Sequence, residues 1–528
     1  MTFGSTRGSV SGISFSEAVL KGIAPDGGLF VPEQNVRFDS LDLSEMCEMT
    51  YKQLAARIFS RYATDFTKEE IEWCVDRAYG SGSRFDAEDP EPLTHLNRSL
   101  SVMELWHGPT AAFKDMALQV LPAFMSVALK KRRDSGKSGS APQKIAILTA
   151  TSGDTGKAAL EGFKDAEGIS IMVFYPRDGV SQMQKFQMIT QEGGNVSVKA
   201  VRGNFDDAQT GVKHIFGDSR FCEMLREAGW ELSSANSINF GRLLPQIVYY
   251  FHAYFTMVRD GRIKMGQKVN FAVPTGNFGN ILAAYYAFKS GLPAGKLICA
   301  TNSNSVVADF LRSGYYDANR EFILTISPAM DILISSNLER LIYDMSGENA
   351  KAVSACMQEL AAQGCYNVRR GTLHGIQGLF WADSASEQET IDTIAGIWKD
   401  YKYLIDPHTA VGIDVYDKYV ISTGDMMPTV AVATASPFKF NRSVAKAVCD
   451  PEETVDTLAE NGSVSGNAAG QADEFGLLDV LANATGCTAP APLRGLDRKP
   501  VLHRGECGAE DMPAAVLDFL KQQSERDN

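Results

Sequence analysis

A chain of 528 residues exceeds what one hydrophobic core covers, so two or three domains are expected. The formal net charge of −13 argues against broad nucleic-acid binding or adhesion to an anionic membrane, and no run of about 18 apolar residues is there to span one. Nine scattered cysteines without a C-x-x-C pair, seven histidines without metal-ligand spacing and no visible export signal suggest a reduced, cytoplasmic protein with no metal site.

Residues 1–100 read as a separate, mainly helical unit. Ser14 opens an amphipathic segment 14–23, and the Gly-Pro-rich run 24–33 surrounds a short apolar strand. Segment 41–63 reads as one helix and 67–80 as another, with Thr67 ahead of glutamates that suit a helix start. Segment 99–108 is a strand running toward Lys114, and from Phe113 to Lys131 the pattern is helical.

Strands and helices then alternate. Strands are expected at 144–150, 169–176 and 195–201, and helices at 155–163, 181–190 and 205–217. A long helix is expected from about Leu244 to Arg259. Strands at 268–274 and 296–301 follow, around a helix at 281–291. Segment 325–400 is mostly helical, 429–436 is a late strand, and a helix closes the chain. This alternation implies parallel sheets with helices on both faces. The expected fold class is α/β: two doubly wound lobes spanning 101–528, the smaller at about 115–245, plus the N-terminal unit.

Gly/Ser/Thr-rich loops punctuate this pattern around one lysine segment. They read WHGPTAAFKD (106–115), ATSGDTG (150–156), PTGNFGN (274–280) and ATASP (433–437). PTGNFGN lies between a strand and a helix, so its glycines let backbone approach a ligand and the helix start offers free N–H groups. It lacks the Gly-Lys-Ser/Thr of a Walker loop and is not G-x-G-x-x-G; a plain turn is the alternative. ATSGDTG has the same setting, although Ser152 or Asp154 acting only as an N-cap would also account for it. Lys114, beside an apolar helix start, has the environment that depresses an ammonium pKa, as a Schiff base to an aldehyde cofactor requires; a solvated surface lysine is the alternative. ATASP can present a hydroxyl, Thr434 or Ser436, to a pyridine nitrogen, and an ordinary strand end fits it equally.

Together these blocks resemble the threonine synthase family, in the fold-type II group of pyridoxal-phosphate enzymes. The segments 13–33, HGPTAAFKD, SGDTG, FDDAQ, NSINFGRLLPQIVYYF, VPTGNFGNILA and DPHTAVG occur in that family's order over nearly the whole chain, and its length is similar to the longer subclass. The resemblance implies that Lys114 bonds the cofactor, pyridoxal 5'-phosphate. It implies that Gly276, Asn277, Phe278, Gly279 and Asn280 cradle the cofactor phosphate and that Thr434 faces the pyridine nitrogen. Ser152, Asp154 and Thr155 would lie by the substrate carboxylate and the cofactor's ring hydroxyl. Where the family reads TAHPAKF this chain reads TASPFKF, so Ser436 and Phe438 replace a histidine and a small residue.

The implied reaction is conversion of O-phospho-L-homoserine and water to L-threonine and phosphate, by a monomer or homodimer. Arg242, then Lys185, are the candidates to clamp the substrate phosphate. A sister phospholyase or threonine dehydratase is the first rival, and the N-terminal signature and DPHTAVG weigh against it. A non-catalytic regulatory relative is the second, and the presence of Lys114 weighs against that.

Overall fold

Ile169–Pro176 is apolar without alternation and buried along its whole length, as a strand covered on both faces must be. It lies inside a five-stranded, all-parallel sheet in the order Gly505–Cys507, Val196–Val201, Ile169–Pro176, Lys144–Ala150 and Trp230–Ser233. A second sheet has six strands in the order Phe380–Ser384, Ala294–Thr301, Val269–Pro274, Thr429–Ala433, Leu100–Glu104 and Leu93–His95. Only Leu93–His95 runs antiparallel. The structure is a computed structural model that describes all residues except 83, 87, 88, 136–141, 152, 179, 450–472 and 528. Among the described residues no helix is long and apolar enough to cross a membrane.

Several expected elements are divided or displaced. The segment 41–63 forms two helices, Ser40–Cys47 and Tyr51–Tyr62, because Thr50 and Gln53 make a reciprocal capping box that restarts the backbone. The helix expected from Phe113 to Lys131 is a single turn, Asp115–Leu118, followed by Leu121–Asp134. Pro122 sits in the first turn of the second helix, where its missing N–H is tolerated. The long helix starts at Phe240 rather than Leu244, since Asn239 caps it by accepting from the Gly241 N–H at 2.9 Å. Short strands at Cys365–Asn367 and Phe380–Ser384 interrupt the stretch 325–400 read as helical, the first pairing with a strand just ahead of that stretch, Tyr315–Asp317.

The N-terminal unit is not insulated from the rest. Phe3 and Phe15 join one continuous apolar core with Phe124 and with Phe240 of the long helix. The strands Lys144–Ala150, Val269–Pro274 and Thr429–Ala433 each end at one of the Gly/Ser/Thr loops, the carboxyl edge where open α/β sheets hold ligands.

Candidate active site

Lys114 is fixed by a short ladder between two loops. The Phe113 N–H donates to the Thr434 carbonyl at 2.8 Å, and the Ser436 N–H donates to the Ala111 carbonyl at 3.1 Å. Ala111 turns the chain with a left-handed φ of 56°. The result places Lys114 and Thr434, 320 positions apart, on adjoining strands of backbone. Lys114 is buried, and its ammonium lies 3.3 Å from Asp154 Oδ2. Burial lowers its pKa from the ordinary lysine value, the Asp154 carboxylate opposes that, and the Lys439 and Arg242 cations add to the lowering.

Asp154 is available for this pairing because another residue caps its helix. Thr151 Oγ1 accepts from the N–H groups of Gly153 at 2.9 Å and Gly156 at 3.0 Å. Of the two expected N-caps, Ser152 lies outside the described residues, and the Asp154 carboxylate faces lysines instead. Asp154 Oδ1 accepts from Lys439 Nζ at 2.8 Å and from Gln184 Nε2 at 2.9 Å. Burial raises the Asp154 pKa, but Lys439 and Lys114 outweigh it and hold the group ionised. Gly153 has φ 149°, and any Cβ there would overlap the Gln184 carboxamide on its way to Asp154.

Lys439, like Gln184, is one of the residues that sequence reasoning missed. It sits in the 3₁₀ turn Pro437–Phe440 with its side chain wholly shielded, and also donates to the Thr110 carbonyl at 2.9 Å. A lysine close behind ATASP was visible in the sequence, but nothing local marked it as buried. Behind it Asp115 accepts from the Thr110 N–H and hydroxyl, each at 2.8 Å. Burial pushes the Asp115 carboxyl up to about 6. Lys439 is paired with Asp154, whereas Arg242 adds a second buried cation near Lys114 that no carboxylate bonds among the described residues.

The loop 274–280 turns from strand to helix at Phe278, which takes a left-handed φ of 61° ahead of the helix Gly279–Lys289. A Cβ on Gly276 would come 2.8 Å from the Ala329 carbonyl, so only glycine fits without displacing the loop. Asn280 Oδ1 accepts from Tyr249 and Tyr250 hydroxyls, both at 2.6 Å, while its Nδ2 is buried without a partner. Arg242 is buried, donates from Nη1 to the Ala235 carbonyl at 2.9 Å, and has no carboxylate partner among the described residues. Its Nε is also unpartnered, and burial brings the guanidinium down to about 10. Unsatisfied buried donors and an unpaired buried cation are costly unless an anion occupies the space they face.

The remaining candidates are placed less centrally. Thr155 is half-buried in the first turn of Asp154–Phe163. Lys185 is half-buried and forms no ion pair among the described residues; Gln184, its neighbour, is the one that reaches Asp154. Ser436 is fully buried with its hydroxyl unpartnered, and Phe438 is buried in the core beneath the late strand. His408 of the DPHTAVG block lies behind the site, bonded to Asp406 at 2.7 Å and accepting from the Ala329 N–H at 3.2 Å.

A depressed lysine, a glycine-lined helix start with an orphaned Asn280 donor, and an unpaired buried arginine fit an aldehyde cofactor carrying a phosphate. The fold and this cluster define a pyridoxal-phosphate-dependent enzyme of fold type II, and residues 85–368 match the model of the family described as pyridoxal-phosphate dependent enzyme. Residues 2–79 match the threonine synthase N terminus and residues 409–462 the threonine synthase C-terminal model. Threonine synthase of Pseudomonas aeruginosa is 38% identical over 85% of this chain and 90% of its own. The crystal structure of PLP-bound threonine synthase from Brucella melitensis superposes with a TM-score of 0.82 at 33% identity, covering 98% of this chain and 99% of that one. The yeast enzyme gives 0.83 at 31% identity, covering 99% of each. The chain belongs to the threonine synthase family.

Proposed function

We propose that this protein converts O-phospho-L-homoserine and water to L-threonine and inorganic phosphate. The observation that carries the reading is the pairing of two anion-ready places in one site: the glycine loop 274–280, and separately the buried, unpaired Arg242. A phosphorylated amino acid bound beside a phosphorylated cofactor needs both.

Pyridoxal phosphate, when bound, supplies the electron sink that makes a carbanion next to the amino-bearing carbon accessible. Lys114 is assigned as its attachment point, Gly276–Asn280 as its phosphate cradle, and the Thr434 hydroxyl as the neutral partner of its ring nitrogen. The low proton affinity of Lys114 suits it to take and return protons at Cα and Cβ of the substrate. Asp154 stays ionised between the two lysines and holds Lys114 in place. Arg242 is assigned to the γ-phosphate, whose C–O bond breaks; its planar fork stabilises the departing dianion. Thr155 and Ser152 are assigned to the substrate carboxylate. In the net change the γ-carbon gains hydrogen and the β-carbon gains the hydroxyl of water. All nine cysteines are free thiols, which supports a reducing, cytoplasmic setting.

The test is to incubate the purified protein with O-phospho-L-homoserine and to analyse amino acids and phosphate. Threonine and phosphate in equal amounts are expected. A main product of 2-oxobutyrate would convert the reading to that of a lyase, and an inert compound would reject it.

A further inference from the structure

The segment Ser335–Arg340 lies directly behind the loop 274–280 and holds it by two carbonyls. Ser335 Oγ donates to the Gly276 carbonyl at 2.9 Å. The Asn337 backbone N–H and Nδ2 donate to the Asn277 carbonyl at 3.2 and 3.0 Å. In a trans peptide the carbonyl and the following N–H point in opposite directions. Fixing these two carbonyls therefore aims the N–H groups of Asn277 and Phe278 away from the segment.

The other side of Asn337 meets a cation. Its Oδ1 accepts from Nη1 of Arg340, a guanidinium with no solvent exposure. The remaining donors of Arg340 go to carbonyls, Phe30 at 3.0 Å through Nε and Ile238 at 2.6 Å through Nη2. No carboxylate bonds it among the described residues. Its neighbour Glu339 is committed to Arg7, which bonds both carboxylate oxygens at 3.0 and 2.9 Å, and to Thr6 at 2.6 Å. A full positive charge thus lies one side chain behind the loop, and Asn337 passes its polarisation to the Asn277 peptide.

We propose that Arg340, acting through Asn337, is a positioning residue for the cofactor phosphate: it charges and aims the backbone N–H groups of the 276–278 loop from behind. Through Phe30 it also ties the N-terminal unit to that loop. The inference rests on the assignment of the loop to the cofactor phosphate, and its test separates the two.

Pyridoxal 5'-phosphate and pyridoxal, which lacks the phosphate, are titrated into the full-length protein freed of cofactor. Wild type is compared with Gly276→Val, Asn337→Ala, Arg340→Met and Arg340→Lys. Gly276→Val, which must displace the loop, is expected to weaken pyridoxal phosphate and leave pyridoxal nearly unchanged. Arg340→Met is expected to weaken pyridoxal phosphate about tenfold or more, the range for a hydrogen bond to a charged group, with pyridoxal changed less than about twofold. Asn337→Ala should act in the same direction, and Arg340→Lys should recover part of the loss. A general loosening of the fold would weaken both ligands alike. If Gly276→Val leaves the ratio of affinities unchanged, the loop assignment fails and this inference with it. If Gly276→Val changes the ratio while Arg340→Met and Asn337→Ala do not, the positioning role alone is overturned. Should Arg340→Met not fold, Asn337→Ala decides, since the guanidinium keeps its bonds to Phe30 and Ile238.

Discussion

Lys439 and Lys114 hold opposite oxygens of one carboxylate, Asp154, at 2.8 and 3.3 Å. Lys439 neutralises Asp154 and repels a proton on Lys114, so both of its effects favour Lys114 as the free amine. Lys439→Met is expected to raise the pH midpoint at which Lys114 loses its proton by about one unit. The pH dependence of pyridoxal addition, followed by absorbance, reports that midpoint. A midpoint that stays in place or falls contradicts the arrangement.

Lys114 itself should be the only lysine trapped when the cofactor-loaded protein is reduced with borohydride and mapped by peptides. Lys114→Ala should lower turnover by on the order of a thousandfold or more, the upper range of a lost acid–base group. Labelling of another lysine, with Lys114 unmodified, would falsify the assignment.

Arg242→Lys keeps the charge but removes the fork. With Nη1 committed to Ala235, the remaining guanidinium donors are those free to meet an anion. A decrease of about 10- to 100-fold in kcat/KM for O-phospho-L-homoserine is expected, with cofactor absorbance intact. Wild-type kinetics would move the phosphate clamp elsewhere, with Lys185 the next to examine.

His107, in the lysine segment, bonds Asp86 and Glu104, each at 2.8 Å. Burial opposes its charge, but the two carboxylates prevail and raise its pKa to about 9. Because the folded value lies above the unfolded one of about 6.5, the contribution to stability is complete below pH 6.5 and lost as pH rises through 9. His107→Gln should therefore cost about 2 kcal/mol near pH 6, an amount reduced for the partial exposure of Asp86, and little above pH 9. Denaturant melts at the two pH values check this, and an equal cost at both would rule it out.

The elements that were legible from sequence were those with a local cause. Buried runs such as 169–176 and capped helices such as Lys68–Tyr79 carry their own signals. The break at Thr50 was also written locally, in a capping box inside an apolar pattern, but the continuous periodicity on either side concealed it. The strand Gly505–Cys507 was not legible, because three residues acquire extended structure only by pairing with Val196–Val201. The site divides in the same way. The four loops announce themselves by composition, whereas Lys439, Gln184 and Asn337 owe their roles to burial and partners distant in sequence. Thr151 illustrates the limit: composition pointed to Ser152 or Asp154 as the cap, and only the folded backbone shows Thr151 accepting from the Gly153 and Gly156 N–H groups while Asp154 turns to the lysines.

The late strand Thr429–Ala433 fills the middle of the six-stranded sheet, between Leu100–Glu104 and Val269–Pro274. A ribosome making roughly 5–20 residues per second leaves that slot open for roughly 15–65 s after residue 104 has been made. Until then the Phe113 N–H has no Thr434 carbonyl to meet, and Lys114 has no fixed position. Assembly of the candidate site is thereby deferred until the late strand has been made. A chain truncated before residue 429 would hold the glycine loop and the lysine yet lack the backbone that joins them.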